Sequence, residues 1–204
     1  MNTSALRVLL GTAALALAAC QPVGDGISQA QKGLEEASAK MDDAKGELSK
    51  AQQKLATENL SLKDDDANLP KAELTPAGEL LIDGKPVAMT DAQKALGHAY
   101  REQLQGVASD GIAIGLAGAK LGIDAAASAL KGVLGGQSGD DIGKQAEASV
   151  KEKIKPQVEK LCARLPALLQ AQQAWAAAQP EFRPYAKMDQ SDVKDCMDKQ
   201  DWKF

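Results

Sequence analysis

The side chains of this 204-residue chain that could carry chemistry are few, chiefly three cysteines and one histidine. A thiol can be acylated or oxidised to a disulfide, whereas a serine-type triad and most zinc sites also require histidine. The only histidine, His98, stands near Tyr100 and Arg101 in a helical pattern, where such a residue is usually a surface or packing residue. We therefore expect a protein that is not an enzyme, with no catalytic residue, no cofactor and no metal.

Cys20 follows a short N-terminal apolar segment. Arg7 precedes the run from Val8 to Ala19, which is shorter than the about 20 residues that span a bilayer. The run ends in Leu17-Ala18-Ala19-Cys20, which resembles the lipobox of bacterial lipoproteins. The resemblance implies a signal peptide at residues 1–19, cleavage before Cys20, and a lipid (diacylglyceryl and an N-acyl group such as palmitate) on that residue. An ordinary secretory signal with a chance cysteine is the alternative.

Export determines how the other residues are interpreted. Gln21 follows Cys20 where Asp is the usual inner-membrane retention residue, so we expect an outer-membrane anchor facing the periplasm. In that oxidising compartment Cys162 and Cys196 form an even pair, and we predict a disulfide between them. Closing this 34-residue loop would stabilise the fold by about 3 to 4 kcal/mol. Two free thiols are the alternative.

The composition excludes nucleic acid as a partner and favours helices. Without Arg7 the 24 basic residues fall to 23, against 28 acidic ones, so no electrostatic attraction to a phosphate backbone is expected. Aromatic residues make up 3% of the chain, so the core must rest on aliphatic side chains and alanine. Such a composition favours long packed helices.

A heptad pattern follows a short tether at residues 20–26. Residues 27–57 are predicted to form a helix, because apolar residues recur every seven positions and alanines lie three residues after each of the first four. The heptad residues are Ile27, Ala30, Leu34, Ala37, Met41, Ala44, Leu48, Ala51 and Leu55. Lys40 would face Lys45 in a parallel homodimer, so we favour packing on the protein's own helices or antiparallel association. A solvated spacer helix is the alternative.

The rest of the chain predicts an α+β fold that is mainly α. Alternating residues and turn signals at 58–89, with Asp83-Gly84 as a hairpin turn, indicate a small antiparallel sheet. Thr90 and Gln93 match a capping box, which opens a helical hairpin at 90–178. Within it we expect Pro156 and Pro166 to kink or divide the second helix. Residues 179–204 form a tail closed by the disulfide.

The first hairpin helix carries an unusual glycine stripe. Four glycines fall on one side of a helical wheel. Each glycine lowers the stability of the helix by roughly 1 kcal/mol, so we expect that their function is to allow close helix packing. They are Gly111, Gly115, Gly118 and Gly122. We favour packing inside this protein's own hairpin. Contact of the glycine-rich helix, residues 111–136, with lipid or with another protein's backbone is the alternative.

Residues 69–103 resemble the YggN-like family of bacterial envelope proteins, a family of unknown function. The resemblance rests on the segment from Leu74 to Lys85, Leu-Thr-Pro-Ala-Gly-Glu-Leu-Leu-Ile-Asp-Gly-Lys, followed by Ala92-Gln93 and Tyr100, with a second match at Leu161-Cys162-Ala163-Arg164-Leu165. It implies an envelope location and a sheet-plus-helix core, and it supplies no activity. The lipobox and the heptad helix depart from the family's pattern.

Together these features predict a lipid-anchored, non-enzymatic envelope protein that acts as a scaffold, tether or binding module. Its partners would be the membrane, through the lipid on Cys20, and either an envelope protein or a second copy of itself. The alternative is a membrane-active or self-assembling protein that acts through the glycine-rich helix.

Overall fold

The structure, a computed structural model, describes residues 23–62 and 69–198. Cys20, the signal peptide, the acidic turn at 64–66 and the last six residues of the tail lie outside these ranges. Within them the chain forms five α-helices, four short strands and one 3-10 helix. In chain order these are α1 (Val23–Thr57), β1 (Leu60–Leu62), β2 (Ala72–Leu74), β3 (Leu80–Ile82), β4 (Lys85–Pro86), α2 (Asp91–Leu134), α3 (Gly139–Lys153), α4 (Lys155–Ala178), the 3-10 helix (Pro180–Tyr185) and α5 (Gln190–Asp198).

The four strands form an antiparallel meander in the order β1-β2-β3-β4. Leu60 pairs with Leu74, and Leu74 pairs with Leu80, so leucines from three strands align on one face. The turn between β3 and β4 has positive φ at Asp83 (50°) and Gly84 (75°), as a type I′ hairpin turn requires. The small sheet predicted at residues 58–89 is therefore present.

The sheet packs on helices to form what we call the head. Leu74 and Leu80 are fully buried against three aromatic rings, those of Tyr100, Trp175 and Phe182. The Trp175 and Phe182 rings stack with centroids 3.9 Å apart, and burial raises the pKa of Tyr100 to about 12. The aromatic residues of the described chain are thus concentrated in one core, which lets a very small sheet remain ordered.

Helix α2 is the central element of the molecule, with α1, α3 and α4 packed along it. Thr90 and Gln93 form the predicted capping box at its start, and the helix continues unbroken through Gly106. α3 and α4 run antiparallel to it, since Ile142 lies near Gly132 and Trp175 lies near Gly97. The mainly helical α+β fold predicted from the sequence is confirmed.

One predicted boundary needs correction, and one of the two predicted helix breaks is present. Helix α1 already begins at Val23, so the last four residues of the predicted tether, 23–26, are helical. Pro156 stands at the start of α4, where a break at Ile154 separates α3 from α4, whereas Pro166 lies inside α4 without ending it. The first proline is tolerated at the first turn because its missing N–H has no helical partner there.

The tail returns to α4 through the predicted cysteine pair. The sulfur atoms of Cys162 and Cys196 lie at disulfide-bonding distance, with their Cα atoms 5.6 Å apart. Asp189 caps α5, its Oδ1 accepting a hydrogen bond from the backbone N–H of Ser191 at 2.6 Å. The Ser191 hydrogen bonds hold the pKa of Asp189 below its usual value. Val193 is buried, so α5 is attached both covalently and by an apolar contact.

Candidate functional site

The heptad face of α1 is turned towards α2. Between residues 26 and 57 the only positions that are not fully exposed are seven of the nine heptad residues. They are Ile27, Leu34, Ala37, Met41, Leu48, Ala51 and Leu55. None of them is fully buried, because alanine leaves a thin seam. A groove of about 440 Å³ remains between the helices, lined by Ala30 and Leu34 on one side and by Ile123 and Leu130 on the other.

Arg101 fixes the end of α1 to the head. Its side chain is buried and donates hydrogen bonds to three backbone carbonyls, those of Leu74 (2.7 Å), Leu55 (2.7 Å) and Glu58 (2.6 Å). Gln105 donates a further bond to Leu55, at 2.6 Å. Burial lowers the pKa of Arg101. The usual pKa of a guanidinium is so high that the group still stays charged. The guanidinium satisfies carbonyls that the end of α1 would otherwise leave unpaired, and it joins α1, β2 and α2 rigidly.

Asp110 forms the main ionic contact between α2 and α4. Its carboxylate accepts hydrogen bonds from Lys160 Nζ at 2.9 Å and from Arg164 Nε. Desolvation acts to raise the pKa of Asp110, but the hydrogen bonds and charges of Lys160 and Arg164 outweigh it and hold the pKa below its usual value. Two cations contact this one carboxylate, so the charge of Asp110 is fully compensated and the contact acts as a structural lock between α2 and α4.

The predicted close packing at the glycine stripe is wrong for the described part of the chain. A Cβ atom added at Gly111, Gly115, Gly118 or Gly122 would meet no atom within 4 Å, and all four residues are exposed. Gly122 lines the grooves on both sides of α2, so neither α1 nor α3 comes close to this side of the helix. The stripe is therefore open to contacts from outside the described chain.

Close approach occurs instead at three other glycines of α2. A Cβ atom on Gly97 would overlap the carbonyl oxygen of Gly78 and lie 3.0 Å from the Trp175 ring. A Cβ atom on Gly106 would lie 3.0 Å from Arg164 Nη1. At Gly132 it would lie 2.6 Å from Gln137 Oε1 and 3.1 Å from Ile142 Cδ1. The sequence signal for these positions is weak, since they are spaced irregularly and share no stripe.

The exposed stripe lies in an apolar part of α2 that α1 and α3 cover only in part. By length and composition, one helix in the described part of the chain, α2, could cross a membrane, and only 6% of its most apolar window is buried. Lys120 and Asp124 interrupt that window with an exposed ion pair at 3.2 Å. A second groove, of about 730 Å³, lies between α2 and α3. Alanine, glycine and isoleucine dominate its lining, so it suits an apolar partner.

The described residues contain no cluster of three or more metal-ligating side chains. His98 is exposed on α2, with Nδ1 3.7 Å from a Glu102 oxygen. Trp175 Nε1 and Gln179 Oε1 are buried without a hydrogen-bond partner, but they belong to the core of the head and line neither groove described above.

The candidate functional surface is thus the side of α2 that carries Gly111, Gly115, Gly118 and Gly122, which we call the open side. Two grooves flank it, and it belongs to a helical assembly that we call the arm. The arm consists of α1, residues 108–134 of α2, and α3. Comparison of the chain with protein-family models, with curated proteins and with solved structures finds no match. The resemblance to the YggN-like family and the lipobox stay predictions from the sequence.

Proposed function

We propose that this protein is a lipid-anchored, non-enzymatic scaffold of the bacterial envelope. In this proposal the lipid on Cys20 holds the start of the arm at the outer membrane, and the arm carries the head into the periplasm. The open side of α2 binds an envelope protein. The observation that carries the proposal is the separation of the two ends of α1, one beginning three residues after Cys20 and the other clamped to the head by Arg101.

The dimensions of the arm support this arrangement. α1 has 35 residues, which corresponds to about 52 Å at 1.5 Å per residue. Because α1 and α2 are antiparallel, the loop between α2 and α3 lies at the same end as the start of α1. The head lies at the other end, stabilised by its aromatic core and the cysteine pair. Such a shape suits a spacer that presents a surface at a defined height.

The open side of α2 supports a binding function for the arm. A soluble helix normally buries its apolar stripe, and an exposed apolar surface of this kind marks an interaction site. The four glycines have no packing function within the described chain, so their cost in helix stability is unexplained unless something else approaches them. An external helix is the partner that fits a smooth apolar surface of small residues.

The test is site-specific photocrosslinking in cells that make the full-length protein. A photoreactive residue replaces Gly115 in one strain and Gly118 in another, both positions where a side chain has free space. The matched control carries it at Lys144, which is exposed on α3. We expect one abundant envelope protein to be captured from the two glycine positions and not from Lys144. Equal capture from all three positions would contradict a specific binding surface.

A second function is favoured by the apolar character of α2. A membrane-active or self-assembling protein would also leave one side of this helix uncovered, and α2 is long enough to enter a bilayer. The same photocrosslinking experiment separates these functions by the mass of the adducts. Adducts with lipid, or only with a second copy of this chain, would favour the second function over the scaffold.

A further inference from the structure

The end of the arm carries two large apolar side chains that point to a second contact with the membrane. Val133 is 68% exposed and Leu134 is 57% exposed, and both are in the last turn of α2. Among the described residues only Met197, in α5, is a comparably exposed large apolar residue. Exposed apolar side chains are therefore concentrated at one end of the arm.

The turn that presents these side chains is well defined. The backbone N–H of Gln137 donates to the carbonyl of Gly132 at 2.8 Å, and that of Gly136 donates to Val133 at 3.2 Å. Gly136 has a φ of 77°, so the helix ends in a Schellman motif. Gly132 packs on Ile142 of α3 just behind it. The apolar pair is thus held at the tip by an ordered turn that uses its hydrogen bonds internally.

The position of the tip relative to Cys20 follows from helix geometry. The groove between the antiparallel helices α1 and α2 extends from Ala30 to Ala37 on one side and from Leu130 to Ala119 on the other, so Ala30 lies near the level of Leu130. Leu134 is four residues, about 6 Å, beyond Leu130, and Val23 is seven residues, about 10 Å, before Ala30. The tip is therefore level with the first two turns of α1. The three-residue link from Cys20 to Val23 reaches at most about 11 Å.

We propose that Val133 and Leu134 enter the bilayer interface beside the lipid on Cys20. This inference rests on the proposed lipid anchor and adds a second attachment point, which fixes the tilt of the arm. The occupant is a phospholipid surface, because the anchor holds the tip within reach of one. Lys131, exposed one turn earlier, suits anionic headgroups, while Asp140 and Asp141 lie after the turn at the start of α3. Two attachment points fix the orientation of the arm on the membrane, whereas a single one would let the arm pivot.

The test measures the depth of single nitroxide labels in the lipidated full-length protein. The protein is reconstituted in vesicles of phosphatidylethanolamine and phosphatidylglycerol, with labels at Val133→Cys or at Leu134→Cys. The matched control is Ser49→Cys, an exposed site about three quarters of the way along α1, towards the head. We expect both tip labels to be several-fold more accessible to oxygen than to a water-soluble nickel chelate, relative to the control.

Each contrary result points to a different error. Vesicle binding with tip labels as accessible to nickel as the control contradicts the tip contact alone. Tip labels shielded from both reagents indicate a second copy at the tip and also contradict it. A label at Gly115→Cys that lies as deep as the tip contradicts the upright geometry. Failure of the protein to float with vesicles, together with an unmodified Cys20 by mass spectrometry, contradicts both the anchor and the inference built on it.

Discussion

The glycines of α2 divide into two classes at the residue scale, according to what surrounds them. Replacing Gly115 by alanine adds a methyl group in open space and removes the flexibility of a helical glycine. We therefore expect Gly115→Ala to raise the free energy of unfolding by about 0.5 to 1 kcal/mol. Gly97→Ala is the matched contrast, because the added methyl overlaps the Gly78 carbonyl. It should lower the free energy of unfolding by about 1 to 3 kcal/mol.

Urea unfolding of the two variants checks this contrast. The difference in stability between the two variants depends only on the space around the added Cβ atom, since both residues are glycines inside a helix. Equal destabilisation by both substitutions would mean that something in the protein occupies the open side of α2.

The Asp110 lock gives the protein a defined pH dependence. Its carboxyl has a pKa below the usual value in the folded state and about 3.9 when unfolded, so the unfolded state binds the proton more readily. The stabilisation is fully present at neutral pH and is lost as the pH falls below about 4 through the lower, folded pKa. Asp110→Asn should cost about 1 to 2 kcal/mol at pH 7, since Lys160 is largely exposed, Arg164 is partly exposed, and water replaces part of the contact.

Unfolding curves of both proteins between neutral pH and about pH 3 measure this directly. The difference in stability between the original protein and Asp110→Asn should shrink as the pH falls. A difference that stayed constant over that range would show that the carboxylate charge contributes nothing.

At the scale of elements, the packing of α1 on α2 is thin, because no heptad residue is fully buried. Leu48→Glu places a charge on the seam and should lower the free energy of unfolding by about 1 to 2 kcal/mol. Ser49→Glu, one residue away on the exposed side, should change it by less than about 0.5 kcal/mol. Hydrogen exchange should be accelerated in α1 by the first substitution only. Equal effects of both would place α1 in solvent on all sides.

The covalent link between α4 and α5 has a larger expected effect. Replacing both Cys162 and Cys196 by serine should lower the free energy of unfolding by about 3 to 4 kcal/mol, as the entropy of a 34-residue loop implies. Chemical denaturation of the oxidised and substituted proteins checks the value. Free-thiol titration of the unreduced protein provides the control, and two reactive thiols there would contradict the disulfide.

The sequence predicts those elements that depend on residues close together in the chain. The Asp83-Gly84 turn, the Thr90 capping box and the α1 heptads each depend on residues close in the chain, and each is found where expected. The contacts of Gly97 and Arg101 depend on carbonyls from Gly78, Leu74 and Leu55, which only the tertiary fold brings near. The sequence could not identify these residues, and the regular glycine stripe drew the prediction of close packing to the wrong positions.

At the scale of the whole molecule, the proposed function depends on the orientation of the arm. The scaffold must hold its head at a fixed distance from the membrane, and the arm can do so only if it stands away from the membrane. In this proposal Cys20 would supply the attachment, Arg101 would transmit the direction of α1 to the head, and the tip contact would limit the tilt. A flexible or flat-lying arm would instead bring the open side of α2 to the lipid.

The most direct test of this account is the height of the head above the bilayer. Fluorescence energy transfer to labelled headgroups would be measured for the lipidated protein with dyes at Lys32→Cys in α1 and at Lys85→Cys in the head, with Cys20→Ala as the unanchored control. We predict that the head dye lies roughly 35 Å or more farther from the bilayer than the α1 dye, the length of α1 between Lys32 and Leu55. Equal heights for the two dyes would contradict the account, because the arm would then lie along the membrane.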